Sequence, residues 1–184
     1  MSDPNDLAAF LADAWKHMEH GVADGTSPAR FPTFGTVAPN GTPEIRTVAL
    51  RFADPDRAVV EVHTDIATPK ITALKHNPVA ALHIWLPEAQ LQIRLTGRVE
   101  VRTGPQVEAE WAKVPVASRV SYGTMPIPGT PIAQVYGYEK PADRDRFAVL
   151  TCNLTEIDLV HLDTRHRRAV YTRDDDWAGT WVAP

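Results

Sequence analysis

Across residues 91–101 the chain alternates strictly: Leu91, Ile93 and Leu95 fall on one side of an extended backbone, and Gln92, Arg94 and Thr96 on the other. A period of two is the mark of a strand that lays one face on an apolar core and leaves the other outside it. The segment has many companions. Residues 31–38 and 44–52 read as two strands joined by Pro39-Asn40-Gly41-Thr42, an Asn-Gly hairpin signal. After the turn Asp54-Pro55-Asp56, residues 58–64 give another strand, and the almost wholly apolar run 79–85 a further one. Strand character returns at 152–162, 168–173 and 177–182. The 16 prolines sit mostly in turns and at element starts rather than in one linker. Short strands on tight connections predict a mainly β (α+β) chain: a closed or nearly closed antiparallel barrel with a few helices set outside it.

Those helices have their own signals. Asp3-Pro4 offers a cap and a first-turn proline, and Leu7, Phe10, Leu11, Ala14, Trp15 and Met18 recur at helical spacing until Gly21 and Gly25. Thr68-Pro69-Lys70 opens a short helix that stops near Asn77-Pro78; others are expected over 105–114 and 143–150. With 184 residues, no internal repeat and no boundary in composition, the expectation is one domain over 1–184, with the helix of 1–25 packed on the barrel.

A net charge of −4 argues against nucleic acid or an anionic membrane as the main partner. There is no basic stretch leading into an apolar one at the N-terminus, and no bilayer-length apolar run, so a cytoplasmic location is expected. The single cysteine, Cys152, allows neither an internal disulfide nor a cysteine-based zinc site, and its apolar surroundings read as a buried structural thiol. The seven histidines are scattered without a metal-ligand spacing, so no metal is expected.

Four places could carry chemistry. In Arg46-Thr-Val-Ala-Leu-Arg51 an arginine among apolar neighbours needs a partner, and its planar fork suits a phosphate. At Val62-His63-Thr64-Asp65 followed by Thr68-Pro69-Lys70, a strand gives way to a helix whose free N–H groups attract anions. Lys70 in that first turn opposes the helix dipole unless an anion lies there. Gln92 offers both a donor and an acceptor to the edge of a heterocycle. His166-Arg167-Arg168 forms a basic cluster near the C-terminus.

Taken in order, these segments resemble the pyridoxamine 5′-phosphate oxidase-like family, the split barrels that bind flavin mononucleotide (FMN). The resemblance is carried by Arg46 to Arg51, His63-Thr64-Asp65, Thr68-Pro69-Lys70, Asn77-Pro78-Val79-Ala80, Trp85, Gln92-Ile93-Arg94 with Gly97, and His166, Arg168, Trp177, Ala183 and Pro184. It implies an antiparallel split β-barrel and FMN as cofactor. Arg46 and Lys70 would hold the phosphate with Thr64, and His63 and Thr68 belong to the same cofactor set. Thr47 and Val48 would lie along the isoalloxazine, Gln92 would bond its edge, and Arg168 would reach it across the interface of a homodimer. Arg51 and His166 would face a small-molecule substrate.

The chain also departs from the family pattern. Pro69 stands in place of an arginine, His63 in place of an aromatic residue, Arg51 in place of a lysine, and Thr164 in place of an arginine expected before the C-terminal histidine. The arginine-containing substrate helix is poorly matched over 111–119. The cofactor site thus carries over better than the substrate site. The expectation is an FMN-binding oxidoreductase of the oxidase-related group, with no catalytic side chain assigned. The alternatives are a flavin-binding or stress-related protein without turnover and an authentic pyridoxamine 5′-phosphate oxidase. Weaker ones are the split barrels that bind deazaflavin or haem.

Overall fold

The computed structural model of the chain describes residues 3–184, so the first two residues of the expected 1–184 domain lie outside the described residues. Helix α1 spans Leu7–Ala23. Asp6 caps it, not Asp3-Pro4, and the Asp6 carboxylate accepts the Ala9 N–H at 2.9 Å. Phe10, Ala14, Trp15 and Met18 are buried along one face, as their spacing predicts. Gly21 does not end the helix. A Cβ at this position would come within 2.7 Å of Ala29, so glycine is what lets the 3-10 turn Pro28–Arg30 lie flat against the last turns.

Strands β1 (Thr33–Val37) and β2 (Pro43–Thr47) form the expected hairpin. The single strand expected over 44–52 is broken. β2 stops at Thr47, β3 covers Leu50–Asp54, and between them the Val48 N–H bonds the Pro32 carbonyl at 3.0 Å. β3 then pairs with β4 (Val59–Asp65), and a bulge between Leu50 and Phe52 makes Arg51 the extra residue. Helix α2 (Pro69–His76) leads to β5 (Val79–Leu86) and the long β6 (Leu91–Thr103), whose alternation holds throughout its first half. Helix α3 is shorter than expected, Glu108–Lys113, with a 3-10 turn over Gly104–Val107 before it.

The helix expected over 143–150 is a correction. A 3-10 turn, Arg144–Arg146, runs straight into β7 (Phe147–His161), a strand of 15 residues. Phe147 through Leu150 are buried on both faces, Leu150 in the main core and Phe147 and Val149 in a second cluster. An unbroken apolar run of this kind carries no alternation that would separate strand from helix. β8 (Arg167–Thr172) and β9 (Thr180–Val182) complete the chain.

All strand pairs are antiparallel, in the order β2-β1-β5-β6-β7-β4-β3, with β8 added to β7 and β9 to β8. Residues 147–153 of β7 pair with β4, and residues 156–161 pair with β8, so the sheet forks along that strand. At the turn-off Gly97 lies opposite Leu154, and the carbonyl of the preceding Asn153 would lie 2.5 Å from any Cβ. The fold is an antiparallel split β-barrel. β2 and β3 are consecutive yet share no ladder, so the sheet stays open at Val48-Ala49. The concave side holds the main core, including Phe34, Leu82, Ile93, Leu95, Leu154 and Tyr171, closed by α1 and α2. A smaller core of Val107, Trp111, Val114, Tyr122, Phe147 and Val149 lies under α3 on the opposite face. No described helix is long and apolar enough to cross a membrane.

Candidate functional site

Lys70 stands in the first turn of α2, where the strand-to-helix turn folds its side chain back over the end of β4. Its ammonium donates to Thr64 Oγ1 at 2.9 Å and to Thr68 Oγ1 at 3.1 Å. Thr68 is the helix N-cap by position, but its hydroxyl caps nothing and donates instead to the Asp65 carbonyl at 2.7 Å. The Lys70 pKa is pulled down to about 8, first by burial and then by the Arg46 guanidinium, against a smaller opposing pull from Asp65. Asp65 itself is committed elsewhere. Its buried carboxylate takes Arg146 bidentately at 2.8 and 2.9 Å and accepts the Ala67 and Gly123 N–H groups, each at 2.8 Å. Lys70 therefore sits beside a second cation, and the carboxylate that opposes the shift, Asp65, is already matched by Arg146.

Arg46 reaches that corner from β2. Its register partner is the buried Phe34, so its side chain leaves the sheet on the concave side. The guanidinium donates to Thr36 Oγ1 at 2.7 Å and to the Glu44 carboxylate at 2.8 Å. Glu44 is the only ion-pair partner of Arg46 among the described residues. The structure thus brings together Arg46, Thr64, Thr68 and Lys70, which are dispersed over 25 positions of sequence.

It does not bring Gln92 or Arg168 to them. Gln92 alternates with Leu91 and Ile93, so it lies on the convex face, 3.3 Å from His83 Nε2. Arg168 is on that face too, donating to Asp158 at 3.1 and 2.9 Å, and Arg94 pairs with the same carboxylate from the other side. Thr47 also faces the convex side, where it is exposed, and Val48 packs against the main core at the open split. His166 is exposed in the β7–β8 connection, away from both groups.

His63 and Arg51 point into a third place, a cavity of about 730 Å³ between the convex face of β3-β4-β7-β6 and the segment around α3. His63 packs edge-on against Phe147 at 4.9 Å, and burial, reinforced by Arg51, holds its pKa down at about 4. It is a neutral imidazole at any ordinary pH. One wall is a closed network: Arg102 donates to Glu61 at 2.8 Å and Glu110 at 3.0 Å, and Thr151 Oγ1 donates to Glu61 at 2.8 Å. Sequence reading missed Glu61, Arg102, Glu110, Tyr122 and Arg30, all of which line this cavity. The alternation of β6 does put Arg102 outside the core; nothing in sequence links it to positions 61 and 110.

FMN requires a binder for a phosphate dianion and a slot for a flat ring. The Arg46–Lys70 corner fits the first, since it holds a cation whose two hydrogen-bond acceptors are both neutral hydroxyls. For the second there is the gap left by the missing β2–β3 ladder at Val48-Ala49, next to Arg46 in the chain.

Comparison with known proteins bears on the family and its cofactor. A family model described as "Pyridoxamine 5′-phosphate oxidase, FMN-binding domain" matches residues 12–103. The pyridoxine/pyridoxamine 5′-phosphate oxidase 2 of Arabidopsis thaliana is 26% identical over 192 residues, covering 92% of this chain and 96% of that protein. The pyridoxine/pyridoxamine 5′-phosphate oxidase of Chromohalobacter salexigens is 31% identical over 176 residues, covering 86% and 81%. Among solved structures, a pyridoxamine 5′-phosphate oxidase-related, FMN binding protein from Nostoc punctiforme superposes over the full length of both chains, with a TM-score of 0.79 at 23% identity. PhzG from Burkholderia lata, solved with tetrahydrophenazine-1-carboxylic acid, gives 0.73 at 16% identity over 100% of this chain and 95% of that one. At those identities the structural matches speak for the fold alone.

Proposed function

Because the chain belongs to the pyridoxamine 5′-phosphate oxidase FMN-binding family, with FMN as its cofactor, we propose that it is an FMN-dependent oxidoreductase acting on a small molecule as a homodimer. The observation that carries this reading is the Arg46–Lys70 corner, where two cations converge and Asp65 is already matched by Arg146. FMN supplies two-electron transfer at its ring when bound. The chain supplies binding, orientation and exclusion of water. Lys70 and Arg46 hold the phosphate, with the hydroxyls of Thr64 and Thr68 fixing the lysine. The backbone of Thr47 and Val48 flanks the ring at the split, and His63 stands on the strand beside Thr64. Gln92 bonds the ring edge, while Arg51 and His166 meet the substrate.

Support for the dimer comes from sidedness. Arg46 and Lys70 lie on the concave side, and Gln92 and Arg168 on the convex face. One chain cannot wrap both sets around one flavin, whereas a two-fold mate can present its convex face to the other's split. That face also exposes Ile45, Trp85 and Val79, apolar side chains that an interface would cover.

The visible spectrum of the purified protein tests the reading. Flavin bands should be present and should vanish in the Arg46→Ala, Lys70→Ala double variant. FMN retained by that variant would remove the site. Photoreduction followed by exposure to oxygen or NAD(P)H tests turnover, and a bound flavin inert to both would leave a binding protein without oxidoreductase activity.

A further inference from the structure

Asp158 lies on the convex face of β7, between Ile157 and Leu159, which are both buried in the main core. It is only 5% exposed although it faces away from that core, and two guanidiniums engage its carboxylate. Arg94, its direct cross-strand partner on β6, donates to Oδ2 through Nη2. Arg168 stands opposite Val160 on β8, diagonal to Asp158, and donates through Nε to Oδ1 at 3.1 Å and through Nη2 to Oδ2 at 2.9 Å. One whole side of the Arg168 guanidinium is thereby engaged, and among the described residues Nη1 has no partner. These three residues line a groove of about 410 Å³, whose other carboxylate, Glu156, makes no ion pair among the described residues.

Pairing alone does not call for this arrangement. One arginine neutralises a carboxylate, and ion pairs made by side chains as open as Arg94 and Arg168, 44% and 32% exposed, add little to stability. What the bidentate contact adds is direction. A free arginine side chain loses its rotamer freedom when a ligand arrests it, and that loss is subtracted from binding. Arg168, held at two nitrogens in the cofactor-free protein, has already lost it. The register shows what the held arginine stands beside. Val160 faces Gln92 across the β6–β7 ladder and Arg168 across the β7–β8 ladder, so Gln92 and Arg168 flank one small apolar residue in a single row, roughly 10 Å apart at two strand spacings.

We propose that Asp158 is a positioning residue: it fixes Arg168 so that the free Nη1 meets an acceptor on the flavin ring of a two-fold mate, while Arg94 braces the carboxylate from the other side. Asp158 touches neither cofactor nor substrate and acts only through Arg168. This rests on the FMN-binding homodimer proposed above.

The test is a double-mutant cycle on FMN affinity, with the full-length protein stripped of flavin and titrated with FMN by fluorescence quenching. Arg168→Met should weaken binding about tenfold or more, the loss of a charge-assisted hydrogen bond. Asp158→Asn, which keeps the shape and removes the grip, should weaken it roughly three- to tenfold, the cost of arresting one long side chain on binding. In the Arg168→Met background Asp158→Asn should change nothing further, since the residue it acts through is gone. The visible band of the bound flavin should shift in Asp158→Asn, whereas a merely structural carboxylate would leave it in place. If the asparagine variant does not fold, Asp158→Glu, which keeps the charge and displaces the carboxylate by one methylene, runs the same cycle with the same outcomes. Unchanged affinity in Asp158→Asn, an equal loss with and without Arg168, or an Arg168→Met variant that binds FMN like wild type overturns the proposal. A wild type without flavin bands removes the FMN reading itself, whereas a flavin-loaded wild type with an additive cycle removes only the role of Asp158.

Discussion

Replacing Lys70 by methionine separates a ligand-holding lysine from a structural one. The ammonium has three N–H donors; two are directed at Thr64 and Thr68, leaving one for a phosphate oxygen. A charge-assisted hydrogen bond of this kind contributes about 1.5–3 kcal/mol, so Lys70→Met should weaken FMN binding by roughly 10- to 150-fold. The effect on the cofactor-free protein has the opposite sign. Lys70 has a folded pKa of about 8, below its ordinary 10.5. The folded state therefore binds the proton less tightly than the unfolded one, and at neutral pH the charged lysine subtracts from stability. Methionine removes that cost while filling the same space. The assay is thermal unfolding with and without FMN: the variant should melt no lower than wild type when cofactor-free, and the upward shift produced by saturating FMN should shrink. A variant markedly less stable without FMN, or one with an unchanged FMN-induced shift, would refute the reasoning.

The same titration predicts a pH dependence. Lys70 must be protonated to bind phosphate, so FMN affinity should hold up to about pH 8 and then fall by roughly tenfold per unit above it, measured by fluorescence quenching of free flavin; a flat profile to pH 10 would speak against Lys70. Arg146→Met should destabilise the fold by about 3–5 kcal/mol in urea titration, because it strands the buried Asp65 carboxylate. A loss below about 1 kcal/mol would mean the pair is dispensable. Cys152, fully buried with its thiol pushed up to about 12, should react with a thiol reagent only as fast as the protein unfolds.

Much of the barrel was legible because its strands obey one rule at a time. β6 alternates, the β1–β2 turn carries Asn40-Gly41, and α2 opens on Thr68-Pro69, so each announces itself locally. Legibility failed where two faces are buried at once or where a residue is inserted. Phe147–Leu150 is apolar on both sides and loses its period, and the break at Val48-Ala49 follows from β3 choosing β4 over β1, a long-range preference. The corner of Arg46, Thr64 and Lys70 was readable because family motifs tie those residues to one another. The cavity was not. Arg30, Glu61, Arg102 and Glu110 come from four elements, and the bulge that sets Arg51 and Phe52 on the same side of β3 leaves no mark in composition.

The absence of a ladder between β2 and β3 has a consequence for how the cofactor is acquired. The hairpin that carries Arg46 is fastened along only one edge, to β5 through the short β1 register. A two-stranded ribbon held on one side opens at far lower free energy than the body of the sheet. Bound FMN, touching Arg46 on the hairpin and Lys70 on α2, would act as a missing rung between them. Amide hydrogens of β1 and β2 should therefore exchange quickly in the cofactor-free protein and slowly in the loaded one, while those of β6 and β7 barely change. Part of the intrinsic affinity for FMN would then go into ordering this flap, and cofactor capture and completion of the barrel would be a single coupled event.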